Sequence, residues 1–548
     1  MIGKRTMVAV AAVLTAAAGM AERVEVKMLP GERWWGGANY FGRQMPFDAG
    51  TALKIDLRAS NYHNQCASLL LSDRGRAVWS EAQAAIAFAD GVISVDADGA
   101  VAVETLGTNL PEAYRKACAK WFPPGGRSPD ALFFTAPQLN TWIELTYHQN
   151  EKDILAYAKS MVDHGVPPGV LMIDDTWQAG YGDWRFEPTR FADPKGMVAK
   201  LHAMGFKVML WMCPYVGMDL PAFRRIQWGR NPDDVKGYPA RGGFLSEKGS
   251  TSGPFGQPEP KCCAWWNGYS AFLDFSHPNA NAWFAETLDG LVRDFGVDGF
   301  KFDGADLAAY RLDDRSAHDP KATNGTLNNG YAAYALRYPC CEFRNAWRMQ
   351  QMPVVMRLHD KPHKWEALAS IVADMIGAGL LGQPFICPDM VGGGEWTAFI
   401  PGSPFEPELF IRSAQIHALC PMMQISASPW RVLSAEHQAI FSGIVALRQK
   451  FAPTFAALAA KAGRDGEPIL RPIEYNFPNA GCAKVIDEFM MGEDLLVAPV
   501  LEKGATARKV VLPPGKWRAD DGAAYEGPAE ITVDAPLSRL PHFRRETR

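Results

Sequence analysis

The stretch 297-VDGFKFDGAD-306 decides the fold, because it sets a lysine and three aspartates in and around a short apolar run. Side chains alternate along a strand, so Phe300 and Phe302 share one face while Lys301 and Asp303 share the other. A buried charge is costly without a partner. We therefore expect a strand whose polar face opens into a polar lumen or cleft. A structural ion pair, a helix-capping aspartate and a catalytic carboxylate all fit this stretch taken alone.

Apolar strands alternate with amphipathic helices on both sides of this stretch, over residues 132–477. This rhythm predicts an α/β fold, a (β/α)8 TIM barrel with an insertion at about residues 217–270. An open doubly wound sheet is the competing topology. No Gly-rich phosphate loop follows any predicted strand, which counts against a nucleotide-binding sheet.

The pattern changes on either side of the barrel to short alternating β runs separated by Gly, Pro and Asp turns. It predicts an N-terminal antiparallel β-sandwich over residues 22–131 and a C-terminal one over residues 478–548. A chain of 548 residues is also too long for one hydrophobic core.

Residues 1–21 have the three parts of a secretory signal peptide: Lys4 and Arg5, an apolar run over 7–18, and small residues for cleavage. We therefore expect export to the periplasm or the extracellular space after cleavage. An uncleaved membrane anchor needs a longer apolar span, and no later stretch is long enough to cross a bilayer.

The composition argues against two classes of partner. The net charge is −4 and no basic stripe occurs, so neither nucleic acid nor a membrane surface is expected as the main partner. Most of the ten cysteines lie in apolar runs typical of buried thiols. The vicinal pairs Cys262–Cys263 and Cys340–Cys341 could form disulfides, whose connectivity the sequence does not give. The oligomeric state is likewise open.

Polar residues at the carboxyl ends of barrel strands build the active site of such folds. The predicted strand ends carry Trp142, Glu144, Asp174, Asp175, Trp177, Trp211, Lys301, Asp303, Asp306, Arg344, Arg357, Asp360 and Asp389. Carboxylates, aromatic rings and arginines without a His/Cys cluster are typical of a sugar-cleaving site. We therefore expect an oligosaccharide or glycoside substrate, with no metal and no cofactor.

Asp303 and Asp360 are the best candidates for a catalytic pair, since each ends an apolar strand. Retaining glycosidases use two carboxyl groups about 5–5.5 Å apart, one as nucleophile and one as acid/base. Lys301, on the face of Asp303, is expected to keep that carboxylate ionised. Asp360 has no lysine on its own face, and an anionic Asp303 nearby is expected to raise its pKa and favour proton donation.

Substrate contacts are predicted for Asp174, Asp175, Trp177, Trp211, Lys301, Arg344, Arg357 and Asp389. Loop capping by Asp174 and Asp175, a turn role for Asp389 and a structural ion pair for Arg344 are the alternatives. His359 and His363 are spaced as in a zinc helix, but Pro362 breaks such a helix and the required glutamate is missing, so no metal site is predicted there.

Three segments carry a resemblance to a known family. "FKFDGAD" (300–306) resembles the nucleophile strand of glycoside hydrolase family 31. "PILRPIEYNFP" (468–478) and the β-rich segment 487–517 resemble that family's passage from barrel to C-terminal sandwich. The resemblance implies a nucleophile at Asp303 and a sugar-contacting lysine at Lys301.

The chain departs from the family's α-glucosidases in two places. Their "WxGD" acid/base element is absent, and residues 344–365 resemble instead the myogenesis-regulating-glycosidase-like branch. That resemblance implies an acid/base at Asp360 and a substrate contact at Arg344. An Arg-Asn-His element that reads glucose is also missing, since residues 421–433 read "PMMQISASPWRVL". An α-galactoside is therefore a candidate substrate beside an α-glucoside.

The sequence thus predicts an exported, retaining, exo-acting α-glycosidase of the α-galactosidase or α-glucosidase type, working through a covalent glycosyl-aspartate intermediate. A catalytically silent carbohydrate-binding relative and a metal-dependent hydrolase are the rival hypotheses. The insertion at 217–270, with Trp265 and Trp266, is expected to shape the leaving-group side of the site.

Overall fold

The computed structural model describes residues 21–228, 242–250 and 258–546. All but the last residue of the predicted signal peptide lies outside the described residues, as do parts of the predicted insertion at 217–270. Across the described residues, the helices are too short or too polar to cross a bilayer.

Eight parallel strands form the central barrel. In chain order they are β1 Gln138–Asn140, β2 Val170–Ile173, β3 Lys207–Met212, β4 Gly299–Phe302, β5 Cys340–Phe343, β6 Val355–Arg357, β7 Ile386–Cys387 and β8 Gln424–Ile425. The hydrogen-bonded order runs β7-β6-β5-β4-β3-β2-β1-β8. A parallel bridge between Met390 and Gln424 closes the ring. The predicted TIM barrel is therefore confirmed.

A helix follows each barrel strand except β5, which the fully described segment 344–354 joins directly to β6. The helices are Glu151–Asp163, Pro194–Ala203, Pro278–Phe295, Asn324–Ala332, Trp365–Leu380, Pro407–Ala418 and Ala435–Asp465. Local sequence sets their ends: the Asn150 side chain accepts a hydrogen bond from Asp153 N, and Gly296 ends its helix with φ 78°.

Strand β4 lies unusually close to β5. A Cβ at Gly299 would stand 1.5 Å from the carbonyl oxygen of Cys340, so only glycine fits there. The resulting register pairs Lys301 with Glu342 and Phe302 with Phe343. Asp303 and the residue after Phe343 therefore leave neighbouring strands at the same height.

Antiparallel sheets flank the barrel, as predicted. Two four-stranded N-terminal sheets share one core and contain Glu22–Lys27, Trp34–Ala38, Leu53–Asp56, Cys66–Ser72, Arg76–Ser80, Ala84–Ala89, Val92–Ala97 and Val101–Thr105. The C-terminal strands form one continuous six-stranded sheet made of Leu470–Arg471, Phe489–Met491, Leu495–Val497, Ala507–Ala519, Ala524–Asp534 and His542–Arg545.

Candidate active site

A polar cavity of about 320 Å³ opens where the barrel strands end, which is where active sites of this fold are built. It is called the site cavity below. Its walls are formed by Trp142, Tyr147, Asp174, Asp175, Trp211, Trp266, Lys301, Asp303, Arg344, Asp360, Met390, Gly394, Glu395 and Trp396. Seven of the ten residues predicted to act in catalysis or binding therefore meet in one place: Asp174, Asp175, Trp211, Lys301, Arg344, Asp303 and Asp360.

Asp303 is held from two sides directly after β4. Arg344 Nε donates to its Oδ1 at 2.8 Å, and Trp211 Nε1 donates to its Oδ2 at 3.1 Å. Burial opposes ionisation, but the positive charges of Arg344, Lys301 and Arg357 outweigh it and hold the pKa of Asp303 well below its usual range. The side chain is a fixed anion at neutral pH.

Lys301 has a different partner from the one expected. Its Nζ lies 2.8 Å from Asp174 Oδ2, and both side chains are buried. The charge of Lys301 helps to keep Asp303 ionised, as expected, but the direct partner of that carboxylate is Arg344, which the neighbouring strand brings into contact. Lys301 acts on Asp303 only through its charge.

Asp360 also differs from the expectation. Its side chain is 54% exposed at the cavity, and Arg357 Nη1 donates to its Oδ1 at 2.6 Å. Loss of water works to raise its pKa, but Arg357 and Arg344 lower it more, so the pKa lies below the ordinary value. The expected raised pKa is wrong because Arg357, on the preceding strand, turns back to the carboxylate.

Three predicted substrate contacts lie beneath the cavity wall. Arg357 and Asp389 are almost fully buried and bonded to one another at 3.0 Å, and Arg357 also donates to Glu342 at 3.1 Å. Trp177 is fully buried and donates its indole N–H to the carbonyl of Trp211. These side chains support wall residues from below, so the structure does not bring them to a substrate.

Asp175 stands beside Asp174 with its own set of donors. It accepts hydrogen bonds from Gln178 Nε2 at 3.1 Å, from Tyr181 Oη at 3.2 Å and from Asn267 Nδ2 at 2.5 Å. Burial and the neighbouring Asp174 raise its pKa to about 6. A carboxyl group with such a pKa can accept or donate hydrogen bonds to sugar hydroxyls near neutral pH.

Aromatic side chains complete the cavity, and among them is Trp266, which the sequence analysis expected on the leaving-group side. Tyr147 and Trp266 are 43% and 52% exposed, and Trp396 follows Glu395 on the loop after β7. Trp142 stands at the end of β1, as its strand-end position indicated. The other three come from loops: Trp266 precedes Asn267 and Gly268, whereas no sequence signal singles out Tyr147 or Trp396.

The N-terminal sheets reach the site through a short segment. Gln65 Nε2 donates to the backbone carbonyls of Arg344 and Arg357, both at 2.8 Å. Asn64 Oδ1 accepts from His359 N at 2.8 Å. Residues of another part of the chain therefore tie the end of β5, which carries Arg344, to the end of β6, which leads to Asp360.

The cysteines and histidines form no centre of their own in the described part of the chain. All ten cysteine thiols are free, so the vicinal pairs do not form the disulfides that the sequence allowed. Within residues 21–228, 242–250 and 258–546, no group of three or more His, Cys, Asp or Glu side chains could hold a metal ion.

Comparison with known proteins agrees with this geometry. Residues 137–458 match the model of the glycosyl hydrolases family 31 TIM-barrel domain, and residues 466–547 match that of the family's C-terminal domain. The chain is 31% identical over 442 residues to the myogenesis-regulating glycosidase of Mus musculus, covering 79% of this chain and 59% of that protein.

More distant relatives extend the comparison. Alpha-glucosidase 2 of Bacillus thermoamyloliquefaciens is 25% identical over 439 residues, covering 73% of this chain and 52% of that protein. A solved family 31 alpha-xylosidase from a soil metagenome, complexed with xylose, superposes with a TM-score of 0.79 at 21% identity, covering 97% of this chain and 80% of that one. The chain spans between half and three fifths of the length of these two curated relatives.

Proposed function

Because the chain belongs to glycoside hydrolase family 31, we propose that it is a retaining α-glycoside hydrolase that releases a terminal sugar through a covalent glycosyl-aspartate intermediate. One observation carries the proposal: a carboxylate fixed in its ionised form, Asp303, shares a polar cavity with a second carboxylate, Asp360. A nucleophile and an acid/base in one cavity are what retention requires.

In the first step Asp303 attacks the anomeric carbon while the bond to the leaving oxygen breaks. The hydrogen bonds from Arg344 and Trp211 orient the carboxylate and leave its remaining lone pairs for the attack. Positive charge develops on the sugar ring in the transition state. The carboxylates around the cavity, Asp174 and Asp175 among them, favour that charge.

Asp360 gives its proton to the leaving oxygen and later takes one from the water that opens the intermediate. Its exposure supports this role, because a sugar that covers the half-exposed side chain removes water from it and makes the ionised form less favourable. The same contact thus brings the leaving oxygen close and promotes protonation of the acid.

The sugar itself is proposed from the cavity and from a missing element. A volume of about 320 Å³ is at the small end of ligand pockets, which supports removal of one terminal residue. Segment 421–433 lacks the Arg-Asn-His element named above, which favours an α-galactoside over an α-glucoside. Two of the similar proteins are an alpha-glucosidase and an alpha-xylosidase by name, so a glucoside and a xyloside both belong in the test.

We further propose that the protein is exported, on the basis of the charged, apolar and small-residue parts of residues 1–21. A sugar-cleaving enzyme outside the cytoplasm meets its glycosides directly. N-terminal sequencing of the protein from the culture medium or periplasm tests this. A cytoplasmic protein that keeps residues 1–21 would contradict it.

The function is tested by release of nitrophenol from aryl α-galactoside, α-glucoside and α-xyloside. We expect turnover by the wild type and a loss of roughly 10⁴-fold in Asp303→Ala. Asp313→Ala, an exposed aspartate after the same strand, is the matched control and should keep full activity. The anomer of the first product, read by NMR, should be α.

Four outcomes would oppose the proposal. Full activity in Asp303→Ala would remove the covalent mechanism, and a β product would mean inversion. Sugar affinity without turnover of any of the glycosides would favour the carbohydrate-binding alternative. Loss of wild-type activity with a chelator would favour the metal-dependent one.

A further inference from the structure

Asp389 is buried below the cavity wall, yet three of its contacts lead to one place. Its Oδ1 accepts a hydrogen bond from Arg357 Nη1 at 3.0 Å. Its Oδ2 accepts from the backbone N–H groups of Lys361 at 2.7 Å and Gly394 at 3.0 Å. Its backbone has φ 111°, which is strained for a residue other than glycine and is typical of functional positions.

Each of these three partners touches Asp360. Arg357 Nη1 donates to Asp360 Oδ1 at 2.6 Å from the same nitrogen that reaches Asp389. Lys361 is the next residue along the chain. Gly394 lies directly against Asp360, because a Cβ on this glycine would stand 2.7 Å from the Cβ of Asp360. One buried carboxylate therefore holds the guanidinium, the following backbone and the opposing loop around Asp360.

We propose that Asp389 is the positioning residue of the acid/base Asp360, fixing its carboxylate and sharing the charge of Arg357 with it. The inference rests on the proposed glycosidase function and adds a buried residue that supports the acid/base. Asp389 does not touch the substrate. It acts through Arg357, Lys361 N and Gly394 N, so the sequence prediction of a sugar contact is replaced by a supporting role.

The charges around Asp389 give the direction of its effect. The charged groups that face the pair are Arg357, Arg344, Lys301, Glu342 and Asp303, and the Lys361 ammonium is paired with Asp374. Burial and the neighbouring Asp360 raise the pKa of Asp389 above its usual value. Removing its charge leaves Arg357 with one acceptor fewer, which favours the ionised form of Asp360. The proton donor then becomes poorer.

The experiment compares two leaving groups in the variant Asp389→Asn. The dinitrophenolate of a dinitrophenyl glycoside leaves without being protonated, whereas the methoxide of a methyl glycoside needs a proton to leave. We expect the loss in kcat/KM to be at least about tenfold larger for the methyl glycoside than for the dinitrophenyl glycoside. The alkaline limb of the pH profile for the methyl glycoside should move to lower pH. If Asp389 had a merely structural role, the variant would lower kcat/KM equally for both substrates and leave the alkaline limb in place.

Two further variants complete the design. Arg357→Lys keeps the positive charge but lacks the guanidinium group that bonds Asp360 and Asp389, so it should show the same dependence on the leaving group as Asp389→Asn. Glu488→Gln, a buried carboxyl in the C-terminal sheet that also accepts a backbone N–H, is the matched control and should leave that dependence unchanged.

The outcomes separate this inference from the function on which it rests. Wild-type turnover with equal losses for both leaving groups in Asp389→Asn overturns the positioning role alone. So does unfolding of both Asp389→Asn and Arg357→Lys, seen by circular dichroism, because it would mean that the cluster serves stability. Absence of wild-type turnover on every glycoside overturns the function and this inference together.

Discussion

Replacing Arg344 by glutamine tests how Asp303 is kept ionised. Arg344 Nε lies 2.8 Å from Asp303 Oδ1, and the two side chains are only 11% and 12% exposed, so solvent screens the pair little. Glutamine keeps much of the length and one donor but removes the charge. Lys301 and Arg357 remain to favour the ionised form.

The size of the effect follows from that contact. Coulomb's law at 2.8 Å with an effective dielectric constant of 20 gives about 6 kcal/mol, an upper bound for one pair. A hydrogen bond to a charged group is worth about 1.5–3 kcal/mol net. Taking about 3 kcal/mol, the pKa of Asp303 should rise by roughly two units in Arg344→Gln. Poorer orientation of the nucleophile should cost about 10²-fold in kcat/KM at neutral pH.

The assay is the pH profile of kcat/KM on an aryl glycoside. The folded pKa of Asp303 is depressed, so activity is lost only as the pH falls through that low value. Raising the pKa moves this acidic limb to higher pH. Arg337→Gln, which lies between β4 and β5 and breaks an exposed pair with Asp289, is the control and should leave the limb in place. A folded Arg344→Gln with an unmoved acidic limb would refute the electrostatic role.

The remaining predictions concern the leaving-group side, the C-terminal sheet and the thiols. Trp266→Ala should raise KM for disaccharides more than for aryl glycosides, since the exposed ring lines the cavity. Tyr269→Ala, three residues further along the chain, is the control and should not raise it. Equal losses on both substrates in Trp266→Ala would count against this prediction. Burial raises the pKa of Glu488 from 4.5 to about 8, so the folded state binds this proton more tightly and loses stability as pH rises over that interval. Thermal midpoints of Glu488→Gln should therefore fall less than the wild type's from about pH 5 to about pH 9, and parallel curves would contradict this. Denatured, unreduced protein should titrate ten thiols, and fewer would reveal a disulfide.

The sequence carries the barrel and the wall of the site because both follow from local rules. Alternation of side chains along β4 puts Lys301 and Asp303 on the lumen side, and the strand-end rule adds Asp174 and Trp211. These inferences need no knowledge of which strands are neighbours.

What the sequence does not carry depends on contacts between strands. The register of β4 against β5 decides that Arg344 reaches Asp303, and the registers of β2, β3 and β4 decide that Lys301 turns to Asp174. Arg357 ends its strand like the true wall residues, but its side chain lies in the layer below them. Tyr147 and Trp396 arrive from loops, whose course is set by tertiary packing.

Gln65 has a consequence for engineering this protein. Its one amide donates to the carbonyls of Arg344 and Arg357, so it spans the ends of β5 and β6. The barrel is therefore not a detachable module: a version cut free of the N-terminal sheets loses the cross-brace between the ends of β5 and β6, which carry Arg344 and lead to Asp360. Attempts to swap N-terminal halves among relatives should carry Asn64 and Gln65 along as a fixed cassette, whereas the exposed rim around Trp266 is open to variation.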